Sequence, residues 1–319
     1  MTPRPTYTPA PAADFVLPFD VPGFRGRLVR LDETSARALQ AHVLPEGAQR
    51  VVAEAVVLAA LLGSALKLDG RLSVQTRGDG PLDLVTADYY GAAGGKPIGL
   101  RGFARLDETR AAATNAATAP NAAARNAAPR NFAALAGAGS LGITIEPRIE
   151  LGRGGQAYQG IVALSPEGLA VSAEAYFAQS EQLATALRLA AAPLYVPGKP
   201  VRWRAGGLML QATPELPLRE DDWERLRAHI ATLEDFELVD TQLSAETLLW
   251  RLFHEDEIRV HPAEPLAFRC GCDGGRIAAV LRAYAPAERE GLADADGIVR
   301  ARCEFCGIVH EIAATALAR

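Results

Sequence analysis

The spacing of hydrophobic residues along the chain changes several times, and each spacing predicts a different element. Apolar residues between 48 and 68 cover most of a helical circumference, which predicts a long helix buried at the centre of a domain. Alternation of apolar and polar residues, bounded by turn residues, predicts β-strands. We place these strands at 24–29, 71–77, 82–88, 98–106, 141–146 and 157–164. The middle strands predict an antiparallel meander packed on the long helix.

Two further helix starts can be read from local chemistry. Thr34 or Ser35 is a candidate cap for a short helix that ends near Val43. Ser165-Pro166-Glu167 combines a capping serine, a proline at the first helical position and an acidic first turn. We expect the helix that starts there to continue to about Ala191. Short strands are then predicted at 194–196, 201–204 and 207–212.

A pair of amphipathic stripes follows at helical spacing. The apolar residues of the two stripes are Trp223, Leu226, Ile230 and Leu233, then Leu248, Leu249, Leu252 and Phe253. Something must cover these faces. They are either ordinary docking helices or a binding surface that is hidden until the following module releases it, and both interpretations stay open.

The segment from Glu108 to Ser140 interrupts the regular pattern. Eleven of the eighteen residues from Ala111 to Ala128 are alanine, and no periodic apolar face is present. We therefore interpret residues 108–140 as a low-complexity insertion on the surface.

All four cysteines lie near the carboxyl end, as Cys270-Gly271-Cys272 and Cys303-Glu304-Phe305-Cys306. Two close pairs of thiolates match the four donors of a tetrahedral Zn²⁺ site, so we predict that these cysteines bind zinc. Sulfurs around such an ion lie roughly 3.8 Å apart, against about 2.05 Å in a disulfide. Each pair is thus close enough to oxidise, which would remove metal ligands, and the site is either a structural staple or a redox switch.

These segments define an α+β chain with a small cysteine-bearing module. We predict a helix at 276–284, another from Pro286 to Leu292 and a strand at 298–302 within that module. The predicted organisation is a disordered leader at 1–13, a helix-and-antiparallel-sheet core at 14–218, a helical linker at 219–267, the module at 268–312 and a tail at 313–319.

Composition narrows the class of function. The chain has 319 residues and a net charge of −5, and residues 268–312 carry six basic and seven acidic side chains, which disfavours nucleic-acid binding. Met1 to Phe19 has no basic and apolar signal-peptide pattern, and the apolar run from Val51 to Leu66 is short for a membrane span. Free thiols with metal spacing then indicate a cytoplasmic protein.

No catalytic motif stands out, and we expect no enzyme. The sequence has no Gly-x-Ser-x-Gly, P-loop or HExxH pattern, and Gly152-Arg153-Gly154-Gly155 lacks the lysine and spacing of a phosphate loop. The five histidines are interpreted as surface or packing residues, although His310 is a possible spare metal ligand. They are His42, His229, His254, His261 and His310.

Several motifs together are similar to one known family. The run from Leu248 to Glu255, followed by Phe268-Arg269-Cys270-Gly271-Cys272 and Cys303-Glu304-Phe305-Cys306-Gly307, resembles the C-terminal half of the heat-shock protein 33 family of redox-regulated chaperones. The resemblance extends to the N-terminal half through 75–82, 100–105, 158–162 and 176–182.

The resemblance implies an ATP-independent holdase that is inactive while zinc is bound. It implies that oxidation joins Cys270 to Cys272 and Cys303 to Cys306, releases zinc and unfolds the linker near 220–265. Apolar surface, with the eight stripe residues as candidates, would then bind unfolding clients, and the active form would be a homodimer. Two other classes stay open at this stage: a nucleic-acid-binding or modifying protein with a structural zinc ribbon, and a metal carrier.

Overall fold

The computed structural model describes residues 14–93, 95–112, 131–148, 156–198, 200–213, 219–285, 288–289 and 291–317. The predicted leader at 1–13, most of the alanine-rich insertion (113–130) and the glycine-rich segment 152–155 lie outside these ranges. The α+β fold class predicted from the sequence is confirmed.

Nine α-helices have both ends within the described residues. They are α1 (Glu33–Gln40), α2 (Glu46–Ala65), α3 (Phe132–Ala136), α4 (Leu169–Tyr176), α5 (Glu220–Ala231), α6 (Asp235–Val239), α7 (Ala245–Phe253), α8 (Gly274–Arg282) and α9 (Ala314–Leu317). A π-helix, Phe177–Glu181, continues α4.

Thirteen strands are described. They are β1 (Phe15–Val21), β2 (Phe24–Leu31), β3 (Gly70–Gly78), β4 (Leu82–Tyr90), β5 (Ile98–Leu106), β6 (Gly139–Pro147), β7 (Tyr158–Ala163), β8 (Thr185–Leu194), β9 (Arg202–Ala212), β10 (Arg259–Val260), β11 (Glu264–Phe268), β12 (Ile298–Arg302) and β13 (Val309–Ala313).

One large sheet contains eleven of these strands, in the order β7-β6-β3-β4-β5-β11-β1-β2-β9-β8, with β10 also paired to β1. The strand β11 lies at the seam between the two halves. It runs parallel to β5, with Phe268 opposite Leu100, and antiparallel to β1, with Phe15 opposite Pro265. Every other pairing in the sheet is antiparallel. A five-residue strand from the linker therefore joins two antiparallel half-sheets.

The inner face of the sheet packs on α2. The large core cluster includes most of this helix together with alternate residues of β3, β4, β5 and β9. Gly102 on β5 leaves room for Val56, because a Cβ at this position would approach the valine side chain to 2.6 Å. The prediction of a central buried helix is confirmed.

Helix α2 is long and apolar enough to cross a membrane by length and composition alone. However, 78% of its most apolar window is buried within the protein. This burial is typical of a core helix, as the sequence pattern predicted.

The outer face of the sheet is covered by the linker. Alternate residues of β1, β2, β8 and β9 form a second cluster with α5, α6 and α7, and Phe253 stacks near Phe19 with ring centroids 5.6 Å apart. Helix α6 comes so close to β9 that a Cβ at Gly206 would lie 2.5 Å from the Leu238 carbonyl oxygen. Glycine at this position lets the linker backbone touch the sheet.

The long helix predicted to reach Ala191 was wrong. The helix begins only after Gly168, and the chain turns at Gln182, where φ is +53°, before it continues as β8. Strand β8 is covered on both sides, because Ala186 and Ala190 face the linker while Leu187 faces α2. A strand buried on both faces has no alternating pattern, and its alanines and leucines then predict a helix.

Four smaller differences separate the predicted elements from the observed ones. The end of the predicted surface insertion forms α3, whose Leu135 is fully buried in the main core. The predicted tail contributes α9 and the last residue of β13, Ala313, and Leu317 is buried in the module core. The strand β1 was not predicted, and residues 202–212 form a single strand rather than two. We call residues 268–317 the cysteine module and 219–267 the linker.

Glu54 gives the fold a testable pH dependence. Burial raises the pKa of this carboxyl to about 7; nearby Arg50 opposes the shift and Asp235 adds to it. The folded state binds this proton more tightly than the unfolded state, so the contribution is present below about pH 4.5 and lost as pH rises through 7. We expect Glu54→Gln to remove a fall of on the order of 2–3 kcal/mol in unfolding free energy between pH 5 and 8.

The measurement is urea denaturation of the wild type and the variant across this range. Glu46→Gln is the matched control, since Glu46 is exposed on the same helix. An unchanged pH slope in Glu54→Gln would contradict the assignment.

Candidate metal centre

The four cysteine sulfurs converge at one point of the module. Cys270 Sγ lies 3.6 Å from Cys303 Sγ, and Cys272 Sγ lies 3.4 Å from Cys306 Sγ. All four Sγ atoms lie within 4.8 Å of one another. The structure thus brings together all of the predicted metal ligands.

Local backbone geometry positions the two pairs. Cys270 follows β11 by two residues, and the Arg269 N–H continues the pairing with a 2.9 Å hydrogen bond to the Leu100 carbonyl oxygen. After Cys272, the Asp273 side chain caps α8 by accepting from the Gly275 N–H. The second pair lies in the turn between β12 and β13.

The second turn depends on one glycine. The Gly307 N–H donates to the Cys303 carbonyl oxygen at 2.9 Å, and Gly307 has φ of +73°. This left-handed conformation favours glycine, and it returns the chain toward β13 directly after Cys306. The Cys303 N–H then bonds the Ile308 carbonyl oxygen, which closes the turn.

The donor set fits a tetrahedral thiolate-binding metal. Four sulfurs bonded at about 2.3 Å to Zn²⁺ would be separated by roughly 3.8 Å, and the observed separations bracket this value. His310 has no atom in the group of ligand atoms that lie within 4.8 Å of one another. The four cysteines alone could hold a metal ion.

The thiols differ in acidity. Burial raises the pKa of Cys303, but hydrogen bonds from the N–H groups of Cys306 and Phe305 and with the thiols of Cys306 and Cys270 together outweigh burial, so this pKa lies below its usual value. Burial and hydrogen bonds with the other thiols raise the pKa of Cys272, and burial raises that of Cys306. Metal binding would favour the thiolate form of all four.

A row of polar residues leads from the sheet to the cysteines. Asp88 on β4 is fully buried and accepts hydrogen bonds from Ser73, at 2.8 Å, and Arg101 Nε, at 2.7 Å. Arg71 Nη2 donates to the same carboxylate at 2.9 Å. Two guanidinium groups thus compensate one buried carboxylate, which satisfies the requirement that buried charges be paired.

Arg101 connects this row to the module. Its guanidinium carbon lies 3.7 Å from the centre of the Phe305 ring, and its Nη1 lies 4.0 Å from Cys270 Sγ. The Phe305 ring also packs edge-on against Phe103, with centroids 4.7 Å apart. Four thiolates and a divalent ion would carry a net charge of −2, so a fixed cation beside Cys270 would stabilise a metal-loaded site.

The second cysteine turn also contacts the loop between α1 and α2. His42 Nε2 hydrogen-bonds the Glu304 carbonyl oxygen, and Arg302 donates to the carbonyl oxygen of Ala41. His42 further stacks on Phe103 at 6.2 Å. The turn that holds Cys303 and Cys306 is therefore docked on two elements of the core domain.

The predicted client-binding residues are all buried in this structure. The eight residues are Trp223, Leu226, Ile230, Leu233, Leu248, Leu249, Leu252 and Phe253. They pack on the outer face of the sheet, and whether they bind clients stays a prediction.

Sequence reasoning did not single out Asp88, Arg101 or Phe305. Asp88 and Arg101 occur in ordinary alternating strands, and their pairing depends on the register between β4 and β5. Phe305 lies between two cysteines, and its contact depends on how the module docks. No local pattern in one sequence encodes either relation.

The fold and site define a class of protein in which a helical linker covers one face of a core sheet and leads into a four-thiol module. A family profile described as "Hsp33 protein" matches residues 18–313. The chain is 36% identical over 291 residues to a "33 kDa chaperonin" of Caulobacter vibrioides (strain NA1000 / CB15N), covering 90% of each sequence. It is 33% identical over 283 residues to the "33 kDa chaperonin" of Escherichia coli O17:K52:H18 (strain UMN026 / ExPEC), covering 89% and 86%.

A solved structure shows the same fold. It is the "33 kDa chaperonin (Heat shock protein 33 homolog)" of Thermotoga maritima, with a TM-score of 0.71 and 19% identity, and the match covers 95% of this chain and 96% of that one. The chain belongs to the heat-shock protein 33 family. Family membership and the four-cysteine cluster support a chaperone, a class whose members bind unfolded proteins.

The docking contacts of Phe305 give a second prediction. Phe305→Ala removes the contacts with Arg101 and Phe103, which are worth about 1–3 kcal/mol together, and leaves every cysteine in place. We expect trypsin to cleave several-fold faster at Arg269 and Arg276, with zinc content unchanged. Limited digestion combined with metal analysis measures both quantities.

Phe236→Ala is the control, because Phe236 is exposed on the linker helix α6. Equal cleavage rates in Phe305→Ala and wild type would show that Phe305 does not hold the module on the core domain.

Proposed function

We propose that this protein is a redox-regulated, ATP-independent holdase whose four cysteines bind Zn²⁺ in the reduced, inactive form. The proposal rests on the short connection between the cysteine cluster and the sheet, since Cys270 follows the seam strand β11 by two residues. The same chain segment, in the linker, covers the apolar outer face. A change at the sulfurs therefore acts on the segment that hides this surface.

The metal contributes most of the stability of the module. Among the described residues of the module, the core contains four buried apolar residues, Ala278, Val299, Ile312 and Leu317. Binding of zinc to four thiolates can supply on the order of 10 kcal/mol or more, which is large beside so small a core. Loss of the metal is thus expected to unfold the module.

Oxidation removes the metal ligands. Two thiolates, one hydrogen peroxide and two protons give one disulfide and two waters. The first thiolate becomes a sulfenic acid, and the second thiolate attacks the sulfenic sulfur and displaces hydroxide, which is protonated to water. Two such reactions consume all four thiolates and release zinc. The resemblance to the family implies the pairs Cys270–Cys272 and Cys303–Cys306.

Either pairing is within reach of the sulfurs before oxidation. Cys270 and Cys303 lie 3.6 Å apart and Cys272 and Cys306 lie 3.4 Å apart, while all four sulfurs lie within 4.8 Å of one another. Formation of the adjacent pairs requires local rearrangement, which release of zinc permits. Peptide mapping of the oxidised chain distinguishes the two patterns.

Unfolding of the module would loosen the linker. One residue separates the end of β11 from Cys270. The preceding strand, β10, pairs with β1 at only two residues. With β11 lost, the helices α5 to α7 would keep their apolar contacts and their hydrogen bonds from sheet arginines, but would lose the paired strand that anchors the end of the linker. Their release would expose that face, and their own stripes, to unfolded clients, and would permit a homodimer.

We further propose that the protein acts in the cytoplasm, because a zinc–thiolate switch needs a compartment that normally keeps thiols reduced. Oxidative stress would then convert the stored form into the client-binding form without new synthesis.

Zinc release and the gain of chaperone activity should occur over the same range of oxidant. On titration with peroxide we expect free zinc to rise, free thiols to fall from four toward none, and aggregation of a chemically unfolded client to be suppressed, all over the same oxidant range. Dithiothreitol with zinc should reverse the three changes.

Cys270→Ser tests the coupling without oxidant. We expect weaker zinc binding, faster proteolysis between 230 and 265, and suppression of aggregation in reducing buffer. If the reduced, zinc-loaded wild type suppressed aggregation as well as the oxidised protein, the proposed switch would be excluded.

A further inference from the structure

Three arginines lie on the outer face of the sheet beneath the linker. They are Arg30 on β2, Arg188 on β8 and Arg204 on β9. Arg30 lies opposite Gly206, two residues from Arg204, and Arg188 lies opposite Leu208. Three adjacent strands thus present guanidinium groups on the face that the linker covers.

These arginines bind the middle of the linker. Arg30 donates to the carbonyl oxygens of Leu243 and Glu237, the latter at 2.9 Å. Arg188 donates at 2.8 Å to the carbonyl oxygen of Leu233, which follows α5.

Arg204 completes the contact. It donates at 3.3 Å to the carbonyl oxygen of Val239, the last residue of α6, and at 2.7 Å to Asp32. The sheet therefore holds residues 233–243 mainly through carbonyl oxygens.

The three groups retain unused donors. The Nε atoms of Arg30, Arg188 and Arg204 are buried without a hydrogen-bond partner among the described residues. Burial lowers the pKa of Arg30 to about 10, so this group is still charged at neutral pH. Departure of the linker would leave three cations with open donor positions.

The linker that covers this surface is strongly acidic. Residues 219–267 contain thirteen acidic and five basic residues, whereas the rest of the chain contains 25 acidic and 28 basic ones. The net negative charge of the protein thus comes from the linker. Among the described residues, one linker carboxylate bonds to these arginines, since Asp235 accepts from Arg188 Nη2 at 3.4 Å, and their other hydrogen bonds to the linker go to carbonyl oxygens. An acidic, amphipathic segment thus lies on an apolar face that carries arginines, and this pairing indicates what else the face can bind.

We propose that the outer face, once free of the linker, selects client segments that combine apolar side chains with aspartate or glutamate. This inference rests on the proposed function, because it requires that the linker leave. Apolar residues on the same face, such as Leu28, Leu208 and Leu210, then contact client side chains in place of the linker stripes. The guanidinium forks bind client carboxylates in bidentate fashion.

The test uses the fully oxidised whole chain and two labelled synthetic peptides. Both peptides have the same Leu and Phe positions; one has glutamate and the other lysine at every polar position. We expect wild type to bind the glutamate peptide roughly tenfold more tightly, with a difference that shrinks at high salt.

The key variant is Arg30→Gln combined with Arg188→Gln. The hydrogen bonds of these two side chains in the described structure go to linker atoms only, so the free sheet does not depend on them. We expect the preference to fall to about threefold or less. Arg105→Gln with Arg148→Gln, at two exposed positions away from this face, removes the same charge and should leave the preference unchanged.

The outcomes separate this inference from the holdase proposal. Equal binding of both peptides, together with suppression of client aggregation, would overturn the charge selection and leave the holdase intact. Absence of both peptide binding and aggregation suppression would remove the holdase itself. If the double arginine variant lost only dimerisation and kept the peptide preference, the face would be a subunit interface and the inference would be wrong.

Discussion

The architecture depends on the pairing of one five-residue strand. Strand β11 is the only bridge between the half-sheet β7-β6-β3-β4-β5 and the half-sheet β1-β2-β9-β8 among the described residues, and it leads directly into Cys270. A short strand with three paired positions on β5 contributes few hydrogen bonds of its own. Its position is stabilised from both ends, by the linker helices before it and by the docked module after it.

Different interactions stabilise the segments before and after β11. The linker is held by burial, since each fully buried Leu or Phe contributes about 1.5–3 kcal/mol, and by three arginines that bind its carbonyl oxygens. The module is held by its sulfur cluster, by the stack of Arg101 on Phe305 and by the carboxylate of Asp88 that orients Arg101. Under the proposed function only the second set would respond to oxidants, because thiolates are the groups that peroxide attacks. A chemical change at the four cysteine sulfurs can therefore affect the linker, which covers the outer face of β1, β2, β8 and β9.

The sequence predicted this arrangement unevenly. Half-buried strands and the amphipathic helices were predictable, because one-sided burial leaves a period in the sequence, and the cysteine spacing identified the ligands. Strand β8 was missed because both of its faces are buried, and Leu135 and Leu317 were missed because single apolar residues in alanine-rich segments carry no period. The arginines beneath the linker and the Asp88–Arg101–Phe305 row arise from strand register and docking, which depend on contacts between residues far apart in the chain.

The central claim is that the metal-bound sulfurs hold the linker on the sheet through β11. Hydrogen–deuterium exchange of the full-length protein, followed during oxidation together with zinc release, tests it most directly. The account predicts that amides of 233–268 lose protection at the rate at which zinc appears, while those of β3 and β4 stay protected. Complete loss of zinc with unchanged protection in 233–268 would contradict it.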